Sequence, residues 1–414
     1  MSQEHDPRPA SGQPATTLED DLRATLRRAA ENAPHALPGL LAGVGRRSRR
    51  RARTRLLASA AAVAVVVTGT VLAVRHERPE PVVINPSLPA ITQEQVVGSP
   101  PVEEVWPGAV QVVPASLKTG KRLRPLLIAD AQTTLLTTWS SHERASAVYA
   151  YDQRTRETRQ VTVVPSRKGE IADGFVIVGD RLLWHVKTDT SATLWRAPLA
   201  GGPAERLPGI LPHVPWATDL VGDRLVYSAG DTGVFSVPVT GGDPTPVPGG
   251  EGLHLLEWPW AGDPLLPSDG VQGVRFGRLV NLETGEVSHA ARTPGDAYVV
   301  CGVTTCSGLH ADGTPYVRAR DGSGERRVPE LAHGLAADRF MAAHVTGRAE
   351  AEQYVIDVAT GRSGSLELNV TLEGGETSYT TIGPTVDDRD MLSAHRTGDD
   401  TLVFIDLRRI VSGP

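Results

Sequence analysis

The feature that most constrains the fold is a strand-turn-strand unit that recurs along the C-terminal part of this 414-residue chain. Each unit joins two runs rich in apolar residues by a turn that in most copies contains Gly, as in LWRAPLAGGPAERL and VFSVPVTGGDPTPV. Glycine supplies the positive φ that tight hairpin turns require, so the units predict β-hairpins. The seven units start at Val148, Leu194, Val234, Leu279, Tyr316, Tyr354 and Leu402.

The spacing of these units, roughly 37 to 48 residues, is close to the length of a four-stranded propeller blade. A second pattern, a polar turn followed by an apolar strand, precedes several of them, as in GDRLLW from Gly179 and GDRLVY from Gly222. We therefore predict an all-β fold, a seven-bladed β-propeller over residues 109–414, in which residues 109–113 supply the strand that the last blade lacks. A six-bladed ring and an array of separate β-sandwiches are the alternatives.

Residues 56–74, LLASAAAVAVVVTGTVLAV, contain no charged residue and no Pro. Because a helix of about 20 apolar residues is long enough to cross a membrane, this run predicts a transmembrane helix. Seven Arg lie between positions 46 and 55, so the positive-inside rule places the N-terminus in the cytoplasm and the C-terminal domain outside the cell membrane. A buried core helix and a cleaved export signal, including one of the twin-arginine type, are the alternatives.

The two sides of this apolar run differ in charge. Residues 1–55 carry eleven Arg and six acidic residues, whereas residues 75–414 carry 31 Lys or Arg and 42 Asp or Glu. An acidic domain is poorly suited to the phosphate backbone, so no nucleic acid is expected as a partner. Residues 75–108 are rich in Pro and β-branched residues without alternation, and they predict an extracytoplasmic stalk.

The cytoplasmic side consists of a polar tail, residues 1–17, and a segment over 18–55 that ends in the Arg cluster. The tail is predicted to be disordered, and residues 18–31 are predicted to form a short amphipathic helix. The leucines that recur at helical spacing are Leu18, Leu22 and Leu26. A helix this short needs a packing partner, so it either docks a cytoplasmic protein or lies on the membrane surface.

The only cysteines are Cys301 and Cys306, within the segment CGVTTC. In an oxidising compartment, two cysteines inside one strand-turn-strand unit favour a local structural disulfide. Two thiols without a neighbouring His pair do not predict a zinc site, and the spacing is longer than the C-x-x-C of redox-active pairs.

The segment EGLHLLEWPW, which starts at Glu251, concentrates polar and aromatic side chains: His254, Glu257, Trp258 and Trp260. These residues either line a ligand pocket or pack in the core between blades. The chain has no G-x-S-x-G, no P-loop, no H-E-x-x-H and no dinucleotide fingerprint. No catalytic residue, cofactor or metal ligand is therefore predicted.

The leucine-bearing N-terminal helix, the Arg run before the apolar segment, and the phrases EGLHLLEWPWAG, NLETGEV and CGVTTC together carry a family resemblance. The chain resembles actinobacterial single-pass membrane proteins with a TolB-like or WD-repeat-like β-propeller, often encoded beside extracytoplasmic-function sigma factors of the SigE type. The blades depart from true WD repeats because they lack the G-H and W-D pairs. The resemblance implies a regulator that holds a sigma factor through residues 18–31, and it supplies no catalytic residues.

Two functions are consistent with this organisation. The first is a membrane-anchored binding or sensing protein, whose propeller meets an extracytoplasmic ligand or protein while its N-terminus regulates a sigma factor. The alternative is an exported propeller enzyme, a hydrolase or lyase, with its site at the central channel. Sequence spacing does not reveal such a site, because its acids and bases would come from different blades.

Overall fold

The computed structural model describes residues 89–141, 144–230, 232–263, 274–332, 334–345, 350–367, 370–371, 390–396 and 399–411. These residues form seven β-sheets that follow one another as the blades of a seven-bladed β-propeller, which confirms the predicted fold class and blade number. The predictions for the tail, for the helix with Leu18, Leu22 and Leu26, and for the apolar run 56–74 concern residues outside the described ranges. Within the described ranges, no helix is long and apolar enough to cross a membrane.

The described chain begins with two short helices and one strand, α1 (Gln93–Val97), α2 (Val102–Val105) and β1 (Val110–Pro114). Each of the first three blades then contains four consecutive antiparallel strands. The first blade comprises β2 (Arg124–Ile128), β3 (Thr133–Ser141), β4 (Arg144–Asp152) and β5 (Glu157–Val163). The second comprises β6 (Ile171–Val178), β7 (Arg181–Lys187), β8 (Ala192–Pro198) and β9 (Glu205–Arg206). The third comprises β10 (Ala217–Val221), β11 (Arg224–Ala229), β12 (Gly233–Pro238) and β13 (Thr245–Glu251).

The remaining blades are less regular. The fourth contains β14 (His254–Glu257), β15 (Trp260–Gly262), β17 (Arg278–Asn281) and β18 (Val287–His289), and β16 (Val274–Arg275) between them pairs in parallel with the fifth blade. The fifth contains β19 (Asp296–Cys301), β20 (Thr305–His310), β21 (Pro315–Ala319) and β22 (Arg326–Arg327). The sixth contains β23 (Phe340–Val345), β24 (Glu350–Asp357), β25 (Ser363–Ser365) and β26 (Val370–Thr371). The seventh contains β27 (Met391–Arg396) and β28 (Thr401–Asp406), and the chain continues into α3 (Leu407–Val411).

The turn before the second strand of a blade is tight where the sequence repeats Gly-Asp-Arg. Gly179 and Gly222 each open a two-residue turn, with φ of 59° and 61°, as expected for a II′ hairpin turn with Gly first. The strands that follow, β7 and β11, are almost wholly buried, because neighbouring blades cover both of their faces. Trp184 and Tyr227, at the same position in each strand, are completely inaccessible to solvent.

The ring is closed by β1, which pairs antiparallel with β28 from Val110 opposite Ile405 to Pro114 opposite Thr401. The predicted role of residues 109–113 is therefore confirmed. Without this strand, β28 would be an unpaired edge in the seventh blade. Gln111 also joins the closure to the first blade, because its side-chain amide donates to the Asp130 carbonyl oxygen at 3.0 Å.

The described part of the predicted stalk, residues 89–108, packs against the propeller, and we call it the N-terminal strap. Val96 and Val102 are completely buried among apolar side chains of the fifth, sixth and seventh blades, and Trp106 meets Phe340 edge-on with ring centroids 6.4 Å apart. The Ser365 amide donates to the Pro100 carbonyl oxygen at 2.8 Å. The stalk prediction is thus corrected for these residues, because their apolar side chains fill the outer seams between blades.

The predicted disulfide is present as a cross-strand link in the fifth blade. Cys301 and Cys306 face each other in the β19–β20 hairpin, with their sulfur atoms 2.02 Å apart and both residues buried. The link closes the turn that follows β19, and this turn also holds the threonine donors described below.

Candidate binding surface

The four residues predicted to form either a pocket or a core site are spread along β14 and the turn that follows it. His254, at the start of β14, is buried, and its Nδ1 lies 3.2 Å from the Ser228 hydroxyl oxygen. The centroid of its ring lies 6.3 Å from that of Trp216, which it meets edge-on, and 6.1 Å from that of Phe276. His254 is therefore a packed histidine that supports an exposed tryptophan.

Glu257, Trp258 and Trp260 lie at the other end of β14, about 10 Å from His254 for a strand of this length. The Trp258 amide donates to Asp219 Oδ2 at 2.8 Å, and its indole Nε1 donates to Glu283 Oε1 at 3.0 Å. Trp260 starts β15 opposite Asn281 and is half-buried. His254 is therefore separated from the other three residues, which lie together at the turn between β14 and β15.

A surface that the sequence analysis did not single out lies in the connection between the second and third blades, residues 207–216. Two large apolar side chains in it face solvent: Ile210 is 54% exposed and Trp216 is 63% exposed. Three prolines at 208, 212 and 215 restrict the backbone φ of this connection. These three prolines are the sequence feature from which a rigid, exposed connection could have been predicted.

This connection is fixed to the blades on both of its sides. Leu211 is buried and exchanges two backbone hydrogen bonds with Ala192, at 2.8 and 2.9 Å. The His213 ring packs on Phe235 of the third blade, with ring centroids 5.2 Å apart. Ile210 and Trp216 are therefore held in place by the scaffold.

Gly209 lies where the chain leaves β8, next to the exposed Ile210. A Cβ atom at Gly209 would lie 2.2 Å from the Gly242 carbonyl oxygen, so the backbones of two blades meet here at a distance that only glycine permits. The Gly242 amide also donates to the Pro208 carbonyl oxygen at 2.8 Å. The chain bulges away from β8 over residues 208–210 before it rejoins that strand at Leu211, and this bulge leaves Ile210 on the surface.

Two surface grooves lie at and beside this bulge, and Arg206 lines both. The first, about 740 Å³ and open to solvent, is lined by Leu207, Pro208, Gly209, Ile210 and Asp243 in addition to Arg206. The second, about 410 Å³, lies between the first and second blades and is lined in part by Arg167, Glu170 and Trp195. The outer surface of the second blade thus combines grooves, exposed apolar groups and an arginine.

A separate polar site lies at Asp338, in the turn that precedes β23. Its Oδ2 accepts hydrogen bonds from the Thr304 amide, from the Thr304 hydroxyl at 2.6 Å and from the Thr305 amide at 3.2 Å. Its Oδ1 is inaccessible and has no hydrogen-bond partner among the described residues. The residue as a whole is half-buried, so its remaining exposure is not at this oxygen.

Burial raises the pKa of Asp338 to about 7, although the hydrogen bonds from Thr304 act in the opposite direction. The negative charge of Glu257 raises this pKa further. A carboxyl group with such a pKa is a candidate for function as well as a structural feature.

Ala337-Asp338-Arg339 leads into β23 in the same way that Gly179-Asp180-Arg181 leads into β7, so the sequence alone would make Asp338 an ordinary turn residue. In the second blade the turn has two residues, and the Asp180 side chain is exposed. In the sixth blade three residues separate Ala336 from Phe340, which exchange two hydrogen bonds of 2.8 Å. Both Ala337 and Asp338 take positive φ, 47° and 55°, and the longer turn carries the carboxylate inward. The absence of Gly at 337 was the available signal.

A buried histidine, His185, lies in β7 opposite Asp173. Both of its ring nitrogens are inaccessible and without a hydrogen-bond partner among the described residues. Burial lowers its pKa to about 4, even though the charge of Asp173 acts to raise it. Asp173 is itself paired with Lys187, whose Nζ lies 2.6 Å from Oδ2. His185 is therefore neutral near pH 7.

No protein-family model matches the sequence, and neither does any curated protein. Among solved structures, BamB from Moraxella catarrhalis is 14% identical with a TM-score of 0.35, over 71% of this chain and 91% of its own. An oligogalacturonate lyase from Vibrio parahaemolyticus is 12% identical with a TM-score of 0.44, over 72% of this chain and 97% of its own. At these values the comparisons assign neither a substrate nor a partner to this chain.

Proposed function

We propose that this protein is a membrane-anchored binding or sensing protein whose extracytoplasmic propeller holds a protein partner on its second and third blades. The observation that carries the proposal is the anchored connection 207–216, which presents Ile210 and Trp216 to solvent. An apolar group held rigidly before binding loses little conformational entropy on association, and Trp is enriched among the residues that dominate binding energy.

The alternative, an exported hydrolase or lyase, is favoured by one observation, the raised pKa of Asp338. A general acid must lie within hydrogen-bond reach of the group that it protonates. Asp338 Oδ2 is occupied by the threonine donors, and Oδ1 is inaccessible. A substrate would have to displace the turn to reach this carboxyl group, so binding is the function that the geometry supports better.

The membrane anchor and the link to a sigma factor rest on sequence. The apolar run 56–74 supports an anchor with the N-terminus in the cytoplasm, and the leucines at 18, 22 and 26 support a docking helix for a sigma factor. Release of the protein from membranes by a salt wash, together with a mature mass smaller than that of the full chain, would reject the anchor.

A two-hybrid assay of residues 1–55 with the sigma factor encoded nearby tests the regulatory half of the proposal. We expect an interaction that is lost in the Leu22→Ala, Leu26→Ala double variant. No interaction, or no dependence on these leucines, would reject that half and leave the propeller half standing.

Site-specific photocrosslinking tests the binding surface in the full-length protein in its own cells. With a photoreactive phenylalanine analogue in place of Trp216, we expect a discrete covalent adduct. The same analogue in place of Val287, 45% exposed in the fourth blade, serves as the control and should give none. Equal labelling at the two positions, or no adduct at 216, would reject this surface.

A further inference from the structure

We infer that the two grooves that meet at Arg206 bind an extended peptide segment in which a carboxylate side chain is flanked by apolar side chains. This inference rests on the proposed function and names the chemical class of the partner. Arg206 is the only residue that lines both grooves, so an occupant that follows them passes Arg206.

The charge on Arg206 indicates an acidic occupant. Arg206 is exposed and forms no ion pair with any described acidic side chain, although two glutamates lie close by. Glu205 already pairs with Arg196 at 2.9 Å, and Glu170 accepts from the Arg167 amide at 2.7 Å. Arg206 therefore keeps its forked donors for a carboxylate from outside, which it matches in a bidentate geometry.

Each of the two grooves has an apolar side chain beside Arg206. The half-buried Trp195 indole lines the groove on one side of Arg206, and Ile210 lines the groove on the other side. Asp243 also lines the groove of Ile210 and would repel a second carboxylate there. The preferred occupant therefore has one acidic residue over Arg206 and aliphatic or aromatic residues before and after it.

The edge of the second blade favours binding of the partner through its side chains and not through its backbone. The outermost strand, β9, is only two residues long, and Pro208 after it has no amide to donate. The bulge over 208–210 then carries the chain away from β8. A partner strand would find no continuous ladder of backbone groups, so addition of a strand to the sheet is excluded as the mode of binding.

A peptide selection tests this inference with the full-length protein in detergent micelles. A phage-displayed library of random dodecapeptides serves as the probe, and the enriched sequences are then made as acetylated, amidated peptides for fluorescence anisotropy. We expect enrichment of an acidic residue between apolar ones. Arg206→Gln should weaken binding at least tenfold, and Arg181→Gln, a partly exposed arginine of the same blade, should leave it unchanged. A peptide with Lys at the acidic position should bind Arg206→Glu better than the wild type.

Several outcomes would overturn the inference: no enriched peptide, enrichment without an acidic residue, or equal affinity for the wild type and Arg206→Gln. The crosslinking at Trp216 separates this failure from that of the proposed function. An adduct at 216 with no effect of Arg206 variants would leave the binding surface and reject the acidic peptide. If there were neither an adduct at 216 nor an effect of the Arg206 variants, both the binding surface and the acidic peptide would be rejected.

Discussion

Gly302 and Asp338 lie in direct contact across the seam between the fifth and sixth blades. A Cβ atom at Gly302 would stand 1.8 Å from Asp338 Oδ1, closer than any two non-bonded heavy atoms can approach. The glycine therefore makes room for the buried carboxyl group, while Thr304 and Thr305, which follow it, donate hydrogen bonds to Asp338 Oδ2. The position of Asp338 is determined by two blades together.

Gly302→Ala tests this contact. The added methyl group must push the Asp338 turn outward, and overpacking of this kind costs about 1–3 kcal/mol of unfolding free energy. Urea unfolding of the purified protein measures the change. Gly108→Ala is the matched control, because a Cβ atom there meets nothing within 4 Å. If the two variants were equally stable, the packing described here would be wrong.

The pH dependence of stability tests the raised pKa of Asp338, about 7 against 3.8 for an ordinary Asp. Between these values the native protein keeps a proton that the unfolded chain has released, so a rise in pH lowers the unfolding free energy. Asp338→Asn should remove this loss of stability between about pH 4 and pH 7. Asp180→Asn, at the corresponding but exposed position, is the control and should leave the pH profile unchanged. If the profile of Asp338→Asn ran parallel to that of the wild type, Asp338 would not have a raised pKa.

The contrast between Asp180 and Asp338 shows which features of the fold can be predicted from the sequence. The repeated hairpins and the Gly-Asp-Arg turns predicted the blades, the closing strand at 109–113 and the cross-strand cysteines, because all of these depend on local pattern. The environment of Asp338 depends on one extra turn residue and on a glycine about 36 positions earlier in another blade. Contacts between blades do not recur at a fixed spacing in the sequence, so no sequence pattern predicts them.

The same limit applies to the exposed surface. The tryptophans at 258 and 260 drew attention because they stand beside His254 and two glutamates, yet they are half-buried within the fourth blade. Trp216 stands in a Pro-rich connection with few polar neighbours in sequence, and its exposure follows from the anchoring of Leu211 and His213. The sequence shows which side chains could take part in binding or catalysis. Only the fold shows which of them a partner can reach.

His185 should give stability the opposite dependence on pH. Its pKa is about 4 in the native state against 6.5 for an ordinary His, so between these values the unfolded chain binds a proton that the native protein excludes. Stability is therefore lost as the pH falls from about 6.5 to about 4. His185→Met should abolish this loss without lowering stability at pH 7, because it removes two buried nitrogens that have no hydrogen-bond partner among the residues the structure describes.

Urea unfolding at a series of pH values measures the effect, with His289→Gln as the control because His289 is exposed. The effects of His185 and Asp338 oppose each other between about pH 4 and pH 6.5, so the wild-type profile alone does not separate them. The double variant should be flatter than either single variant. An unchanged acid profile for His185→Met would show that His185 does not remain neutral in the fold.

Trp106→Ala tests whether the N-terminal strap belongs to the folded propeller. Trp106 is 6% exposed, meets Phe340 edge-on and packs in the seam between the sixth and seventh blades. Loss of a buried tryptophan costs about 3–5 kcal/mol, and the same substitution on the surface changes stability by less than about 0.5 kcal/mol. Trp216→Ala, at a site 63% exposed, is therefore the matched control. We expect a lower urea midpoint for Trp106→Ala alone; equal midpoints would mean that residues 89–108 form a stalk that contributes nothing to the fold.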